Sequence, residues 1–231
     1  MPSSCALICA RLPVTARPSP ASGIRVSGVR QKHYFTDDPV DLSSLRDIEV
    51  RLAGRDLQLK TVAGVFSGNR LDLGTRVLLR AVPDPPPDGD LLDLGCGWGP
   101  IAVTMGLLAP RARVWAVDVT RAARELTAMN ATTAGATGVR AVGPRDVPAD
   151  VRFAAIWSNP PIRIGKNRLH DLLGTWLRRL EPGGHAYLVV QRNLGADPLI
   201  RWIDEQDGLS AVKHSSAKGF RIIDAVRAHT A

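Results

Sequence analysis

Cysteine is scarce in this sequence, and long apolar runs are absent from it. Only three of the 231 residues are cysteines, two of them near the start and the third, Cys96, among glycines. Three such thiols do not make a disulfide framework, and no Cys/His cluster has the spacing of a zinc site. The sequence therefore predicts no metal and a reducing, cytoplasmic environment. Since no run of about 18 apolar residues occurs, no membrane-spanning helix and no membrane partner are predicted.

Acidic residues are missing from the first 36 residues, which carry five basic ones and so contribute +5 to the net charge of +8. The remaining 25 basic and 22 acidic residues leave the rest of the chain only mildly basic. A solvated basic tail raises the isoelectric point without forming a binding groove. The charge alone therefore does not identify a nucleic-acid partner.

Residues 1–32 are rich in Pro, Ser, Ala and Arg and show no sustained periodicity, which predicts a disordered basic extension. The composition suits an organellar transit peptide, and equally an upstream translation start in a genome rich in Ala, Arg, Gly and Pro codons. A secretory signal is disfavoured because Arg11 interrupts an already short apolar run. Of these explanations we favour a dispensable extension.

Residues 33–82 are predicted to form a small N-terminal cap. Residues 48–52 and 57–62 alternate apolar and polar side chains like the strands of a hairpin, with a turn at Gly54-Arg55 and a short helix near residues 76–81. A proline-rich linker over residues 82–89 then excludes helix and central strand. Residues 83–231 have the length and the alternating strand and helix patterns of one α/β domain.

The centre of that domain is the stretch from Asp93 to Gly99. An apolar strand ends in an acidic residue and continues into three alternating glycines, Gly95, Gly97 and Gly99. Glycine lets the backbone approach a ligand closely, and a carboxylate at the strand end can accept from an ammonium or a hydroxyl group. A helix over residues 101–109 should follow, with its amides facing the loop. A dinucleotide fingerprint needs a further glycine where Pro100 stands, which disfavours a nicotinamide cofactor.

Two further acidic residues follow the next strands. Asp118 ends the strand over residues 114–117 and lies 21 residues beyond Gly97, where a carboxylate can take both ribose hydroxyls of an adenosine. The alternative is a strand-end Asp that caps the following helix, although Thr120 can also provide that cap. Asp146, after a strand near residues 139–142, is a candidate partner of an adenine amino group or an ordinary loop acid.

A catalytic candidate ends the fourth core strand, where residues 153–158 run into Asn159-Pro160-Pro161-Ile162. The prolines fix the turn, so that the Asn159 amide and the Pro160 carbonyl become acceptors at the carboxyl edge of the sheet. Two acceptors on the hydrogens of a conjugated amino group suit methyl transfer to that nitrogen, with positioning as the main source of rate. Arg163 and Lys166 contact either a phosphate or solvent.

These motifs together resemble the "methyltransferase small" domain family of S-adenosylmethionine-dependent enzymes, which includes guanine-N2 methyltransferases of small-subunit ribosomal RNA. The segments that carry the resemblance are Gly64-Val65-Phe66-Ser67, Leu71-Asp72, Asp93-Leu94-Gly95-Cys96-Gly97-Trp98-Gly99 and Asn159-Pro160-Pro161-Ile162. The resemblance spans residues 33–227. It implies a Rossmann-like sheet of seven mostly parallel strands with the last one antiparallel, preceded by the hairpin cap.

The resemblance and the residue patterns together predict a set of site residues, of which the resemblance itself implies Asp93, the three glycines, Asp118, Asn159 and Pro160. The predicted S-adenosylmethionine contacts are Asp93, Gly95, Cys96, Gly97, Gly99, Asp118 and Asp146. The predicted contacts to the target amine are Asn159, Pro160, Pro161 and Ile162, and the further substrate contacts are Phe66, Arg163 and Lys166. Many N-methyltransferases have an aromatic residue after Asn-Pro-Pro, whereas Ile162 has no π face to stack on a base.

The sequence predicts an S-adenosylmethionine-dependent N-methyltransferase acting on RNA, with guanine N2 of 16S ribosomal RNA as the favoured target and RNA or a ribosomal subunit as partner. Adenine N6, a protein glutamine amide and a small metabolite remain alternative acceptors, because the Asn159-Pro160 pair suits each of them. A non-catalytic cofactor-binding protein is a further alternative. No separate RNA-binding domain is recognisable, and no pattern indicates an oligomeric state.

Overall fold

The computed structural model describes residues 39–62 and 70–229. The predicted extension over residues 1–32 and the predicted substrate contact Phe66 lie outside the described residues. Within those two ranges, no helix has both the length and the apolar character needed to cross a membrane.

An antiparallel hairpin forms the N-terminal cap, with β1 over Leu45–Leu52 and β2 over Arg55–Val62 after a 3-10 turn at Leu42–Ser44. Its two-residue turn is Ala53-Gly54, at φ values of 48° and 75°. This conformation matches the twist of the flanking strands. The prediction placed the turn one residue too late, because Arg55 pairs with Leu52 as the first residue of β2.

The main sheet has seven strands in the order β5-β4-β3-β6-β7-β9-β8. Its strands are β3 (Asp90–Leu94), β4 (Arg113–Val117), β5 (Val139–Val142), β6 (Phe153–Ser158), β7 (Leu180–Gln191), β8 (Leu209–Ala217) and β9 (Phe220–Arg227). The final strand, β9, runs antiparallel to both of its neighbours. Strands β4 and β5 extend the sheet on one side of β3, and the chain then crosses back to place β6 on the other side of β3. This topological switch opens a crevice at the carboxyl ends of β3 and β6. The predicted fold class is confirmed.

Helices cover both faces of the sheet. The five helices of the described ranges are α1 (Leu73–Ala81), α2 (Pro100–Leu108), α3 (Arg121–Ala134), α4 (Lys166–Leu177) and α5 (Ala196–Asp204). Neighbouring residues of one strand enter opposite cores: Leu91 packs with α1 and α2, whereas Leu92 packs with α4 and α5. Because both faces are buried, the central strands are apolar along most of their length rather than alternating.

The start of one helix and the capping bond of another differ from the sequence prediction. The first helix begins at Leu73, before the predicted residue 76, because the Asp72 side chain accepts from Thr75 N (3.0 Å) and caps it. Thr120 occupies the N-cap position of α3, but its hydroxyl donates to Asp118 Oδ1 (3.0 Å) and makes no capping bond. The predicted capping bond by the Thr120 side chain is therefore wrong, because the hydroxyl turns back to the Asp118 carboxylate and accepts from no N–H of α3.

One buried amide joins the hairpin to the domain. Asn130, on α3, is fully buried. Its Nδ2 donates to Lys60 O (2.8 Å) and Trp98 O (2.8 Å), and its Oδ1 accepts from Lys60 N (2.7 Å). The side chain thus pairs with Lys60 as a neighbouring strand would, and at the same time it binds the glycine-rich loop. We call this arrangement the Asn130 clamp.

The Asn130 clamp generates a test of stability. Asn130→Ala leaves Lys60 N–H and two carbonyl groups without partners, so we expect the free energy of unfolding to fall by at least about 2 kcal/mol. Denaturant unfolding measures this change. Thr133→Ala on the same helix is the control, because Thr133 is exposed and its hydroxyl bonds only to Met129 O; it should change stability by less than about 0.5 kcal/mol. Equal effects of the two substitutions would contradict the role of the clamp.

Candidate active site

The glycine-rich loop over residues 95–99 connects β3 to α2. Its three glycines have φ values of 82°, 58° and 93°, a region that other residues rarely adopt. A Cβ added to Gly95 or Gly97 would meet no atom within 4 Å, whereas one added to Gly99 would lie 2.9 Å from Thr127 Oγ1. Gly99 is therefore needed for packing against α3, and the first two glycines leave room for a ligand close to the backbone.

Cys96 lies in the same loop but faces the core. Its thiol is buried and accepts from Thr127 Oγ1 (3.3 Å), while its amide donates to Val117 O and its carbonyl accepts from Gly99 N. Burial raises the pKa of the thiol well above its usual range, and the nearby acidic side chains raise it further. Each polar group of Cys96 thus has a partner inside the protein. The side chain therefore packs the loop against α3, and the predicted cofactor contact of Cys96 stays a prediction.

Asp93 carries an unpartnered atom at the end of β3. The residue is fully buried, and its Oδ2 accepts from Ala102 N (2.9 Å) at the start of α2. Its Oδ1 is buried and has no hydrogen-bond partner among the residues that the structure describes. Burial raises its pKa to about 8, against the lowering effect of the Ala102 N–H, and the charge of Asp118 raises it further. A buried, unpaired carboxylate oxygen calls for a cationic or donating ligand group.

Asp118 lies beside the loop at the end of β4 and is partly exposed. Its Oδ2 accepts from Gly97 N (3.1 Å), and its Oδ1 accepts from both Thr120 N (2.9 Å) and Thr120 Oγ1 (3.0 Å). A carboxylate offers about four acceptor positions. One position is therefore left, and a second becomes free when the Thr120 hydroxyl rotates.

Asp146 follows β5, two strands away from β3. It is exposed, and its Oδ2 accepts from Gly143 N (2.9 Å) while its own amide donates to Gly143 O. The side chain therefore closes its own turn. Its predicted contact with an adenine amino group stays a prediction.

The Asn159 amide is held from the side of α1. Its Nδ2 donates to Asp72 Oδ2 (2.8 Å) and Thr75 Oγ1 (3.1 Å). Because an ionised carboxylate accepts but cannot donate, the nitrogen must face Asp72. Asn159 Oδ1 makes no hydrogen bond within the described residues and remains an acceptor. Sequence analysis missed this support, because Thr75 belongs to no motif and the sequence indicated Asp72 only as part of the resemblance.

The turn after Asn159 is tight. Ile162 N donates to Pro160 O (2.8 Å) across Pro161, whose φ and ψ of −74° and 77° are those of an inverse γ-turn. The Pro160 carbonyl, which was predicted to be an acceptor for the target amine, already accepts this bond and keeps its second lone pair for another donor. The side chain of Ile162 is half-buried against the core.

Arg163 and Lys166 lie on the outer side of this turn and are exposed. Gly165 separates them at φ 96° and ψ 155°, a conformation essentially confined to glycine, and this turns the chain into α4. The two cations therefore stand next to the Asn159 turn without an ion pair in the described parts of the chain.

The carboxyl ends of β3, β4 and β6 bring these residues to one edge of the sheet. Ser158 Oγ donates to Leu94 O (2.7 Å), which joins the end of β6 to the glycine-rich loop. This edge therefore carries the buried carboxylate of Asp93, the open backbone of the glycine-rich loop, the carboxylate of Asp118 and the oriented amide of Asn159. Such an arrangement can hold a ligand with an ammonium group and a diol beside an amino-bearing substrate.

Curated relatives share most of this chain. It is 32% identical over 199 residues to the uncharacterized protein YbxB of Bacillus subtilis, covering 84% of this chain and 98% of the relative. It is 34% identical over 198 residues to ribosomal RNA small subunit methyltransferase C of Pseudomonas fluorescens. That match covers 82% of this chain but 57% of the relative, so the chain spans little more than half the length of that enzyme.

Solved structures share the fold. The T. thermophilus 16S rRNA N2 G1207 methyltransferase, solved in complex with AdoMet and guanosine, superimposes with a TM-score of 0.68. The two chains are 23% identical, and the match covers 79% of this chain and 50% of that one. Residues 56–223 match the methyltransferase small domain family, a range that includes the glycine-rich loop and the Asn159 turn. The chain belongs to the methyltransferase small domain family, and it is an S-adenosylmethionine-dependent methyltransferase.

Proposed function

We propose that this protein methylates an exocyclic amino group of RNA, with guanine N2 of 16S ribosomal RNA as the target, and that it acts in the cytoplasm. The observation that carries the proposal is the orientation of Asn159. Asp72 and Thr75 take both hydrogens of its amide, so that Oδ1 is left to accept from an incoming N–H.

The residues at the edge of the sheet fit S-adenosylmethionine. The unpartnered Asp93 Oδ1 suits the ammonium group of its methionine end, and Asp118 has an acceptor left for a ribose hydroxyl. The open space above Gly95 and Gly97 suits the close approach of the cofactor to the backbone. When bound, the cofactor supplies an electrophilic methyl group on a sulfonium.

The acceptors beside it suit a conjugated amine. The lone pair of such a nitrogen is delocalised into its ring, which makes the nitrogen a poor nucleophile. Asn159 Oδ1 and the second lone pair of the Pro160 carbonyl can each accept one N–H, which orients the nitrogen and favours its pyramidal geometry. Positioning and preorganised dipoles then supply most of the rate. The nitrogen gains the methyl group as the bond between the methyl carbon and the sulfonium sulfur breaks, and the resulting acidic cation loses a proton to water, so no strong base is needed.

RNA is the proposed acceptor on two grounds. The relatives named as ribosomal RNA small subunit methyltransferases include one that matches 82% of this chain, although the chain spans only 57% of that relative. Arg163 and Lys166 are exposed beside the Asn159 turn, where cations can contact backbone phosphates and position the strand.

The function is tested by transfer of labelled methyl groups from S-adenosylmethionine to total RNA, small ribosomal subunits and protein from cells that lack the gene. We expect label in RNA or subunits, located by nucleoside digestion to N2-methylguanosine. Asn159→Ala should reduce the rate at least about a hundredfold. Gln206→Ala removes an amide that bonds only to Trp202 O, and it should leave the rate unchanged. Label found in N6-methyladenosine would identify adenine, and not guanine, as the target base. Label confined to protein or small molecules would contradict the RNA assignment.

The support of Asn159 is tested at Asp72. Asp72→Ala frees the amide to rotate and to offer hydrogens instead of an acceptor, so kcat should fall roughly tenfold to a hundredfold with little change in KM. Asp72→Asn retains an oxygen for Asn159 Nδ2 and for the helix cap, and it should restore most of kcat. If the loss of kcat in Asp72→Ala is fully explained by the smaller fraction of folded protein, Asp72 acts only as the cap of α1 and does not orient Asn159.

Asp93 makes cofactor binding depend on pH. In the free protein its raised pKa of about 8 keeps the carboxyl neutral at pH 7, whereas an ammonium ligand favours the carboxylate. Binding must therefore release a proton below about pH 8, and the affinity should rise by up to roughly tenfold per pH unit and level off above it.

Calorimetry with S-adenosylhomocysteine in buffers of different ionisation enthalpy measures this proton release. Asp93→Asn should bind more weakly, without release of a proton and without the pH dependence. The affinity of the wild-type protein is measured at intervals of about one pH unit. If that affinity stayed constant between about pH 6 and about pH 8, a contact between Asp93 and the ammonium group would be contradicted.

A further inference from the structure

The topology of the sheet brings Phe220 to the edge at which Asn159 lies. It is the first residue of β9 and pairs with Gln191, the last residue of β7. Because β7 runs parallel to β6, Gln191 and Phe220 belong to the same edge of the sheet as Asn159. The turn before Phe220 is held in place, since Arg192 N donates to Gly219 O (2.9 Å).

The ring of Phe220 is adjacent to the Asn159 amide. A Cβ built on Gly74 of α1 would lie 3.0 Å from Phe220 Cε1, 3.4 Å from Asn159 Nδ2 and 3.0 Å from Asp72 Oδ2. A single methyl-sized volume therefore touches the ring edge, the amide and the carboxylate that orients it. The ring edge packs on the backbone of α1 at a position where any side chain would push it away.

Phe220 also remains accessible. Trp157 and Tyr187 lie on the same face of the sheet, but only 1% and 6% of their surfaces are exposed. Phe220 is only partly buried at the edge of this core. It thus combines an aromatic face with access to solvent next to the acceptor of the proposed amine, whereas Ile162 on the Asn159 turn has no π face.

We propose that Phe220 forms a wall of the pocket for the target base and stacks on it, in place of an aromatic residue after Asn159-Pro160-Pro161. The inference rests on the proposed function, and the ligand class is a purine base of an unpaired RNA nucleotide. Stacking on an aromatic side chain is the usual way in which single-stranded bases are held. The ring would set the plane of the base, and Asn159 Oδ1 would then accept from the amino group in that plane.

The test compares Phe220→Leu with Phe220→Tyr in protein saturated with S-adenosylhomocysteine, with guanosine as the probe in an NMR titration. Leucine keeps an apolar side chain but has no π face, so guanosine affinity should fall about tenfold, while tyrosine should stay within about threefold of wild type. In turnover with RNA, Phe220→Leu should raise KM and leave kcat nearly unchanged, since stacking is the same in the ground and transition states.

Trp202→Leu is the matched control, because it removes another half-buried ring, which stacks on His170 on the opposite side of the sheet. Its guanosine affinity should equal that of wild type. Equal losses in Phe220→Leu and Phe220→Tyr, or a loss that accompanies weaker S-adenosylhomocysteine binding, would overturn the stacking role. A wild-type protein that binds neither guanosine nor RNA would overturn the proposed function itself, and this inference with it.

Discussion

The Asn130 clamp is the contact on which the arrangement of the site depends. A single buried amide satisfies both backbone groups of Lys60 and the carbonyl of Trp98, so it joins the hairpin, α3 and the glycine-rich loop. The loop contains three left-handed glycines and would have many conformations in isolation. The clamp and the packing of Gly99 against Thr127 select one of them. The hairpin cap is thus part of the support of the glycine-rich loop, and not only a cover over the domain.

Two carboxylates at this edge have different surroundings, and these give them different roles. Asp93 is enclosed in the core and has one N–H partner, so burial favours its neutral form. Asp118 is partly exposed and accepts from three donors, which are Gly97 N in the loop and the amide and hydroxyl of Thr120. The charge of Asp118 in turn raises the pKa of Asp93. In the proposed site, a ligand group with a positive charge at Asp93 would offset this effect, and Asp118 would bind neutral hydroxyls.

Local patterns in the sequence predicted the strands, the glycine-rich loop and the Asn159 turn, because each of them depends on residues that are close in sequence. The contacts that hold the site together depend on residues that are distant in sequence. The bond from Asn159 to Asp72 joins residues 87 positions apart, and the Asn130 clamp joins residues 70 and 32 positions apart. Sequence also could not tell that the Cys96 thiol faces the core, since a loop with left-handed glycines has no regular alternation of side chains. The hairpin turn was displaced by one residue for a related reason, because cross-strand pairing sets the register.

Gly74 lies where Asp72, Asn159 and Phe220 converge, in the first turn of α1. Glycine weakens a helix by up to about 1 kcal/mol relative to alanine, and by less near a helix end. Alanine at this position would strengthen the helix, but its methyl group would push the Phe220 ring or the Asp72 carboxylate aside by a few tenths of an ångström. If the proposed site is correct, Gly74→Ala would therefore favour the stability of the helix and oppose turnover. A thermostable descendant of this enzyme would have to gain its stability elsewhere in the fold.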